Sequence, residues 1–236
     1  MGATKILSTG VLVALSFSLL ALFPLSRSVL AAKRKTILTI PEGSVGLIAY
    51  GSLMSLASME ETLGHQYAGP VHQVHLLGYE RSWTHLRPLN DPAAAGARKL
   101  EASFLRGDER VPFVGTIELN IRPKKKGRIN AILYLVTEAE LLKLDKRERT
   151  YRRVDVTDKI EKFRFRGGKV YAYEGLQGRS GGPSADQGTH ILIKEFLEMV
   201  TGACDTLGKE FRGEFDRSTR PCAFEVVSYT MIKWEI

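Results

Sequence analysis

The chain has 236 residues, of which 44% are hydrophobic and 25% charged. This composition excludes an intrinsically disordered chain and suffices for one well-filled core. The net charge is +8, and basic residues cluster at 122–128, 146–153 and 163–166. Such clusters attract phosphates, nucleic acid or anionic membranes, but no nucleic-acid motif accompanies them. A solvated basic surface is therefore the favoured interpretation, and no nucleic-acid partner is expected.

Residues 1–32 differ in character from the rest of the chain. Their apolar run, residues 6–25, follows Lys5 and precedes a candidate cleavage site at Ala31, which is the layout of a secretory signal peptide. The alternative is an N-terminal membrane anchor, because the run is just long enough to span a bilayer. The basic residues 33–35 favour a cytoplasmic location for the chain on their side of the run. We predict a domain of residues 33–236 that is exported (periplasmic or secreted) or membrane-anchored through residues 6–25; an anchor that faces the cytoplasm stays open.

Alternating or continuous apolar runs predict the strands of this domain. The predicted strands cover residues 45–50, 71–79, 100–106, 112–121, 129–136, 150–157 and 223–234. Residues 122–127 predict a turn, and residues 159–175 predict a hairpin that turns at Gly167 and Gly168. His72 and His75 fall on opposite faces of a strand, so a shared metal ion is not expected.

Two helices are marked by their ends or their spacing. Thr137 and Glu140 form a capping box that starts a short helix ending near Glu148. Residues 189–204 have helical spacing with Gly202 as a stop, and a polar helical segment comes after them. Many strands with few helices, outside a βαβ rhythm, predict an α+β domain with a mixed β-barrel or sheet of about six to eight strands.

Motifs for common chemistries are absent from the sequence. It contains no GxSxG, Walker or GxGxxG motif, and its five histidines have no metal-ligand spacing. No metal and no cofactor are therefore expected. Cys204 and Cys222 form a disulfide if the domain is exported and stay buried thiols in a cytoplasmic setting; a thiol nucleophile is the least favoured interpretation.

The stretch Tyr50-Gly51-Ser52-Leu53 directly follows the first buried strand. Glycine lets a ligand approach the backbone closely, and consecutive N–H groups at such a turn bind an anion or a developing oxyanion. Taken alone, the pattern is also that of an ordinary strand end.

Glu148 lies where the capped helix gives way to the next strand, between Arg147 and Arg149. One interpretation is a surface glutamate in ion pairs; the other is a carboxylate that acts as a general base. The two flanking arginines predict a Glu148 that is held ionised and is a weaker base for that reason.

In this order, the YGSL stretch and the later "LYLVTEAELLKLDKRERTYRRVDV" resemble the γ-glutamylcyclotransferase-like family, over roughly residues 44–175. The resemblance implies a carbon–nitrogen lyase that acts on a small γ-glutamyl substrate without a cofactor. The substrate's own α-amine attacks its γ-glutamyl carbonyl, and 5-oxoproline and an amine or amino acid are released. Small family members place glycine after the glutamate, where this chain has Arg149, and the apolar N-terminal segment is unexpected for a cytosolic member.

The resemblance also implies roles for particular residues. Glu148 is expected to be the general base, and Tyr50, Gly51, Ser52 and Leu53 to hold the γ-glutamyl group. Tyr151 and Tyr173 are expected to form pocket walls or donate hydrogen bonds. Asp145 is interpreted as a structural helix residue. The leaving group and the oligomeric state are left open.

Three functions therefore remain as hypotheses. The first is the γ-glutamylcyclotransferase-type enzyme. The second is a non-catalytic binding module of the same fold for a small acidic ligand, which it would return unchanged. The third is a basic protein that docks on nucleic acid or a membrane surface, with an affinity that falls steeply with salt.

Overall fold

The structure is a computed structural model and describes residues 1, 35–90, 100–182 and 188–235. The predicted signal peptide or anchor, residues 1–32, lies outside the described residues apart from Met1, so it stays a prediction. Within the described ranges, no helix is long and apolar enough to cross a membrane. The described residues from Lys35 onward belong to one structural unit.

Strands outnumber helices along the described chain. The strands are β1 Thr36–Thr39, β2 Ser44–Ala49, β3 Val71–Pro88, β4 Glu101–Arg106, β5 Glu109–Phe113, β6 Gly115–Thr137, β7 Tyr151–Asp155, β8 Phe163–Arg166, β9 Val170–Gly175, β10 His190–Ile193, β11 Thr219–Arg220, β12 Glu225–Val227 and β13 Ile232–Glu235. The helices are α1 Leu56–Leu63, α2 Glu138–Arg147, α3 Lys194–Thr206 and α4 Lys209–Ser218.

The main sheet is mixed and has eight strands. Its central path runs β11-β3-β6-β2-β9-β7, and β10 and β12 extend it from β6. β2 runs antiparallel to β6 and parallel to β9. The predicted α+β class with a mixed sheet is confirmed, and the strands described here form an open sheet rather than a closed barrel. Two small sheets, β1-β8 and β13-β4-β5, complete the architecture.

Strand β2 lies in the hydrophobic core and is followed directly by the YGSL stretch. Every β2 residue after Ser44 is buried, which explains why the run is continuously apolar instead of alternating. Leu47 and Ile48 are 0% and 1% exposed, and burial of each such side chain stabilises the fold by about 1.5–3 kcal/mol. The end of β2 is therefore a rigid support for the residues that come after it.

The turn predicted at residues 122–127 is wrong as a boundary between two strands. The predicted strands 112–121 and 129–136 belong largely to the single long strand β6, which pairs antiparallel with β3 on both sides of this segment. Pro123 pairs with Tyr79, and Arg128 pairs with Leu77. Residues 124–127 of β6 therefore lie opposite a single residue of β3, Gly78, and form a bulge that shifts the register of the two strands. Lys126 and Gly78 have positive φ angles of 64° and 80°. Turn-forming residues here produce a bulge because the pairing with β3 resumes.

Three further sequence predictions need correction. The hairpin at Gly167 and Gly168 does not form, because β8 pairs with β1 whereas β9 inserts between β2 and β7. The helix predicted from residue 189 begins only at Lys194, after strand β10, and it continues past Gly202 to Thr206. The last predicted strand, residues 223–234, is broken into β12 and β13 by a short 3-10 turn.

The two cysteines are separate thiols in the described part of the chain. Cys204 is buried in α3 and Cys222 is half-buried after β11. Burial raises the pKa of the Cys204 thiol to about 12, so this group is a protonated core side chain at neutral pH. The structure favours the buried-thiol alternative over the disulfide.

Candidate functional site

A cavity of about 310 Å³ lies at the end of β2. Its walls come from the YGSL stretch, α1, the ends of β3, β6 and β9, the junction of α2 with β7, and α3. All seven site residues expected from the sequence line this cavity: Tyr50, Gly51, Ser52, Leu53, Glu148, Tyr151 and Tyr173. The cavity therefore joins the two stretches that the sequence singled out, and their chemical roles stay predictions.

The YGSL stretch begins with a firmly held tyrosine. The Tyr50 hydroxyl donates to the Tyr173 carbonyl at 2.6 Å, and the Tyr50 carbonyl accepts from Arg81 Nη1 at 3.2 Å. After Gly51 the chain forms a 3-10 turn, Ser52–Met54. The first hydrogen bond of that turn comes from the Met54 N–H, so the N–H groups of Ser52 and Leu53 have no acceptor inside the turn.

Gly51 has no steric neighbour in the described part of the protein that requires glycine. A Cβ atom added there would meet only Leu119, at 3.5 Å, which is an ordinary packing distance. The expected role of Gly51, close approach of a ligand, therefore concerns the open side of the residue and not the packing of the fold.

Glu148 is fixed by the end of α2. The predicted capping box is confirmed: Thr137 Oγ1 accepts from the Glu140 N–H at 3.2 Å, and Glu140 Oε2 accepts from the Thr137 N–H at 2.7 Å. At the other end Glu148 is the C-cap. Its N–H donates to the Leu144 carbonyl, and its carbonyl accepts from the Tyr151 N–H. The helix start thus sets where the carboxylate falls.

The environment of the Glu148 carboxyl favours its neutral form. Only 14% of the side chain is exposed, and burial raises the pKa of Glu148 to about 7. Arg147 opposes this shift, since its Nε lies 3.1 Å from Glu148 Oε1, whereas the nearby Glu118 adds to it. The expectation that flanking arginines hold Glu148 ionised is therefore wrong in its net sign, because loss of hydration outweighs the Arg147 ion pair. Arg149 is exposed.

Arg147 connects the carboxylate to the YGSL stretch. Besides its contact with Glu148, its Nη2 donates to Ser52 Oγ at 3.1 Å and to Ser58 Oγ at 2.9 Å. Its Nη1 donates to the Ser58 carbonyl at 2.9 Å and to Thr62 Oγ1 at 2.5 Å. One guanidinium thus ties the end of α2 to α1 and to Ser52. In the sequence, Arg147 stands out only as a charge beside Glu148.

The cavity holds a second carboxylate that was not expected from the sequence. Glu118 of β6 accepts from Arg87 Nη1 at 2.7 Å and from the Tyr151 hydroxyl at 3.3 Å. The single hydrogen of the Tyr151 hydroxyl is shared between this long contact and the nearer Leu119 carbonyl, at 2.8 Å. Polar and apolar residues alternate in "TIELNI", so the sequence does not distinguish Glu118 from a solvent-facing strand residue.

Two aromatic residues shape the far walls. The Tyr173 hydroxyl donates to Asp145 Oδ1 at 2.8 Å, and Asp145 Oδ2 accepts from Arg153. Asp145 therefore orients a cavity wall, in keeping with its structural interpretation. Burial raises the pKa values of Tyr151 and Tyr173 well above their ordinary range, so both hydroxyls are neutral hydrogen-bond donors at physiological pH.

Two buried basic side chains, Arg81 and His85, contact residues of the cavity wall without lining the cavity themselves. Arg81 is fully buried and donates to the Tyr50 and Asn130 carbonyls, among other oxygens. Burial lowers the pKa of Arg81 to about 9, so it stays charged at neutral pH. His85 Nε2 lies 2.9 Å from Thr150 Oγ1, and its ring stacks on Tyr151 at 3.9 Å. Burial lowers the pKa of His85 to about 3, so His85 acts as a neutral packing and hydrogen-bonding residue.

These features define a protein class: an α+β domain whose cavity pairs a buried, readily protonated carboxyl with a turn that offers N–H groups. A carboxyl with a pKa near 7 can take and return a proton at physiological pH. Across the described ranges, no group of three or more His, Cys, Asp and Glu side chains is arranged to hold a metal ion.

Comparisons with known proteins give likeness in fold. No protein-family model and no curated protein matches the chain. Among solved structures it is similar to a gamma-glutamyl cyclotransferase (10% identity, TM-score 0.45, covering 78% of this chain and 94% of that chain). It is also similar to a gamma-glutamyl cyclotransferase specific to glutathione from yeast (10%, TM-score 0.41, 75% and 98%). A third is YkqA from Bacillus subtilis (19%, TM-score 0.46, 75% and 54%). Likeness at this level carries no conclusion about reaction or residues.

Proposed function

We propose that this chain catalyses γ-glutamyl cyclotransfer on a small γ-glutamyl compound. The observation that supports the proposal most is the shared cavity of Glu148 and the YGSL stretch, with Arg147 in contact with both Glu148 Oε1 and Ser52 Oγ. A pKa of about 7 for Glu148 suits a group that must accept a proton and then return it near neutral pH. The cavity volume lies at the lower end of the range for small-molecule sites.

The reaction needs no nucleophile from the protein. The substrate's α-amine loses a proton to Glu148, and its lone pair attacks the γ-carbonyl carbon to form the new ring C–N bond. The carbonyl oxygen gains negative charge, and the N–H groups of Ser52 and Leu53 stabilise it. The original amide C–N bond then breaks, and the leaving amine takes the proton back from Glu148. The products are 5-oxoproline and the free amine or amino acid.

The shape of the cavity contributes through orientation. A γ-glutamyl group must fold back so that its amine meets its own carbonyl, and holding that conformation removes much of the entropic barrier. Tyr151 and Tyr173 form the walls against which the γ-glutamyl group of the substrate folds. Their hydroxyls are already engaged with the Leu119 carbonyl and with Asp145, so in this proposal they shape the pocket and do not act on the proton.

The basic-surface hypothesis receives less support because many of its cations have carboxylate partners. Arg122 pairs with Glu174, Arg128 with Glu161 and Glu214, and Arg153 with Asp145. The binding-module hypothesis shares the cavity with the enzyme and differs from it only in turnover. The raised pKa of Glu148 favours the enzyme, since binding of an acidic ligand alone gains nothing from a protonatable carboxylate.

The test is release of 5-oxoproline by the purified protein from a panel of γ-glutamyl amides and γ-glutamyl amino acids. Glu148→Gln keeps the shape of the side chain and should lower kcat/KM by about 100-fold or more. Glu42→Gln, at an exposed residue outside the cavity, removes the same charge and should leave the rate unchanged. Activity that survives Glu148→Gln would refute the base assignment, and tight binding without release by the unsubstituted protein would support the binding module.

A further inference from the structure

Glu118 has an environment different from that of Glu148, although both line the same cavity. Glu148 is largely buried beside one guanidinium, whereas Glu118 forms an ion pair with Arg87 at 2.7 Å and accepts from the Tyr151 hydroxyl. Two carboxylates in different environments can divide their tasks in one site, because one can bind a cation while the other exchanges protons.

Glu118 also has capacity for a further donor. A carboxylate oxygen accepts two hydrogen bonds, and in the described residues Oε1 accepts from Arg87 and Oε2 from Tyr151. Its side chain is 16% exposed, so part of it is accessible from the cavity. An ammonium group, with three N–H donors and a positive charge, is the ligand chemistry that fits such an oxygen pair.

The proposed reaction creates a need for this chemistry. A γ-glutamyl substrate arrives with its α-amine protonated, and the ammonium must be bound near Glu148 before its proton moves. Glu148 is poorly suited to hold the cation, because its charged form is destabilised by burial. The Arg87–Glu118 ion pair supplies a second carboxylate in the same cavity, held in place by a guanidinium at 2.7 Å.

We propose that Glu118 binds the α-ammonium group of the substrate and orients its proton toward Glu148, so that the site selects γ-glutamyl compounds whose α-amine is free. This inference rests on the proposed function. The N–H bond of the ammonium breaks, the proton goes to Glu148 Oε, and the electron pair stays on nitrogen for attack on the γ-carbonyl. After attack the ring nitrogen loses a second proton to the nitrogen of the breaking amide bond, which also takes the proton from Glu148, so the amine leaves as an ammonium ion.

The decisive experiment measures binding without turnover. In a Glu148→Gln background, calorimetry compares a γ-glutamyl amide with the matching glutaryl amide, which lacks only the α-ammonium group. Adding Glu118→Gln should weaken binding of the γ-glutamyl amide by about tenfold, the loss expected for a hydrogen bond between charged groups, and should leave the glutaryl amide unchanged. Glu118→Asp keeps the charge and should retain the preference. Equal weakening of both amides by Glu118→Gln would overturn the proposal.

A second measurement separates an electrostatic role from a merely structural one. With Glu148 intact, removal of the Glu118 charge should lower the pKa of Glu148 by roughly one pH unit, as observed by NMR of labelled glutamate carboxyls and by the acid limb of kcat/KM. The groups that face Glu148 and must be kept constant are Tyr50, Glu61, Arg87, Arg147, Tyr151 and Tyr173.

An acid limb that stays in place while the rate falls would mean that Glu118 only holds the fold, and would overturn the proposal. Failure of the proposed function has a different signature: no 5-oxoproline from the unsubstituted protein. The ammonium preference and the NMR titration are read without turnover, so they report on Glu118 separately.

Discussion

Replacement of Glu148 by glutamine should stabilise the protein at alkaline pH, although it removes the proposed base. The pKa of Glu148 is about 7 in the folded chain, against an ordinary value of 4.5. The folded state therefore binds this proton more tightly than the unfolded state does. The favourable contribution is complete below pH 4.5 and is lost as the pH rises through about 7. Above that pH, ionised Glu148 costs up to roughly 3 kcal/mol of folding free energy.

Glutamine imitates the protonated carboxyl and cannot ionise. Its side-chain oxygen can still accept from Arg147, so the local hydrogen bond is retained. The difference in unfolding free energy between Glu148→Gln and the unsubstituted protein should thus be near zero at pH 4.5 and approach roughly 3 kcal/mol in favour of the variant at pH 8–9.

Urea unfolding at a series of pH values measures this difference, with Glu42→Gln, at an exposed residue outside the cavity, as the matched control. Comparing proteins at each pH cancels the titration of every other group. A Glu148→Gln variant that is no more stable than its parent at pH 8–9 would refute the reasoning, since it would mean that the folded environment does not disfavour the charged carboxylate.

Two further variants test the YGSL stretch and its link to Glu148. Gly51→Ala adds a methyl that meets only Leu119 inside the protein, at 3.5 Å, and should lower kcat/KM if the substrate lies against that backbone. Unchanged kinetics would remove Gly51 from the site. Arg147→Gln removes a charge that lowers the pKa of Glu148, so the acid limb of kcat/KM should move to higher pH, whereas a shift to lower pH would contradict the assigned electrostatics.

Features with local causes were predictable from the sequence. The capping box fixes where α2 starts, and the short helix then places Glu148 at its C-cap. The buried run of β2 fixes where Tyr50 emerges, because a strand without polar alternation must be covered on both faces. These local rules place the expected site residues at the ends of their own elements; the pairing of β2 with β9, which brings Tyr50 next to Tyr173, is not local.

Features that depend on pairing between distant strands were not predictable. The bulge at residues 124–127 looks like a turn until the pairing with β3 resumes beyond it. Glu118 looks like a solvent-facing strand residue until Arg87 and Tyr151 converge on it. In the sequence, Arg81 is interpreted as an exposed residue of an alternating strand. Its charge can be buried because Asn130 and Ser218 of α4 accept hydrogen bonds from its guanidinium.

The raised pKa of Glu148 also depends on both local and distant residues. Its attractive partner, Arg147, is adjacent in sequence, so an ion pair is easy to anticipate. The opposing effects come from elsewhere: loss of hydration inside a cavity walled by β6, β9 and α3, and the charge of Glu118 on a distant strand. Since burial is the larger effect, the fold converts a glutamate flanked by arginines into a group that can exchange a proton near pH 7. The same burial that should make Glu148 useful as a base is what should make the folded chain less stable when Glu148 ionises.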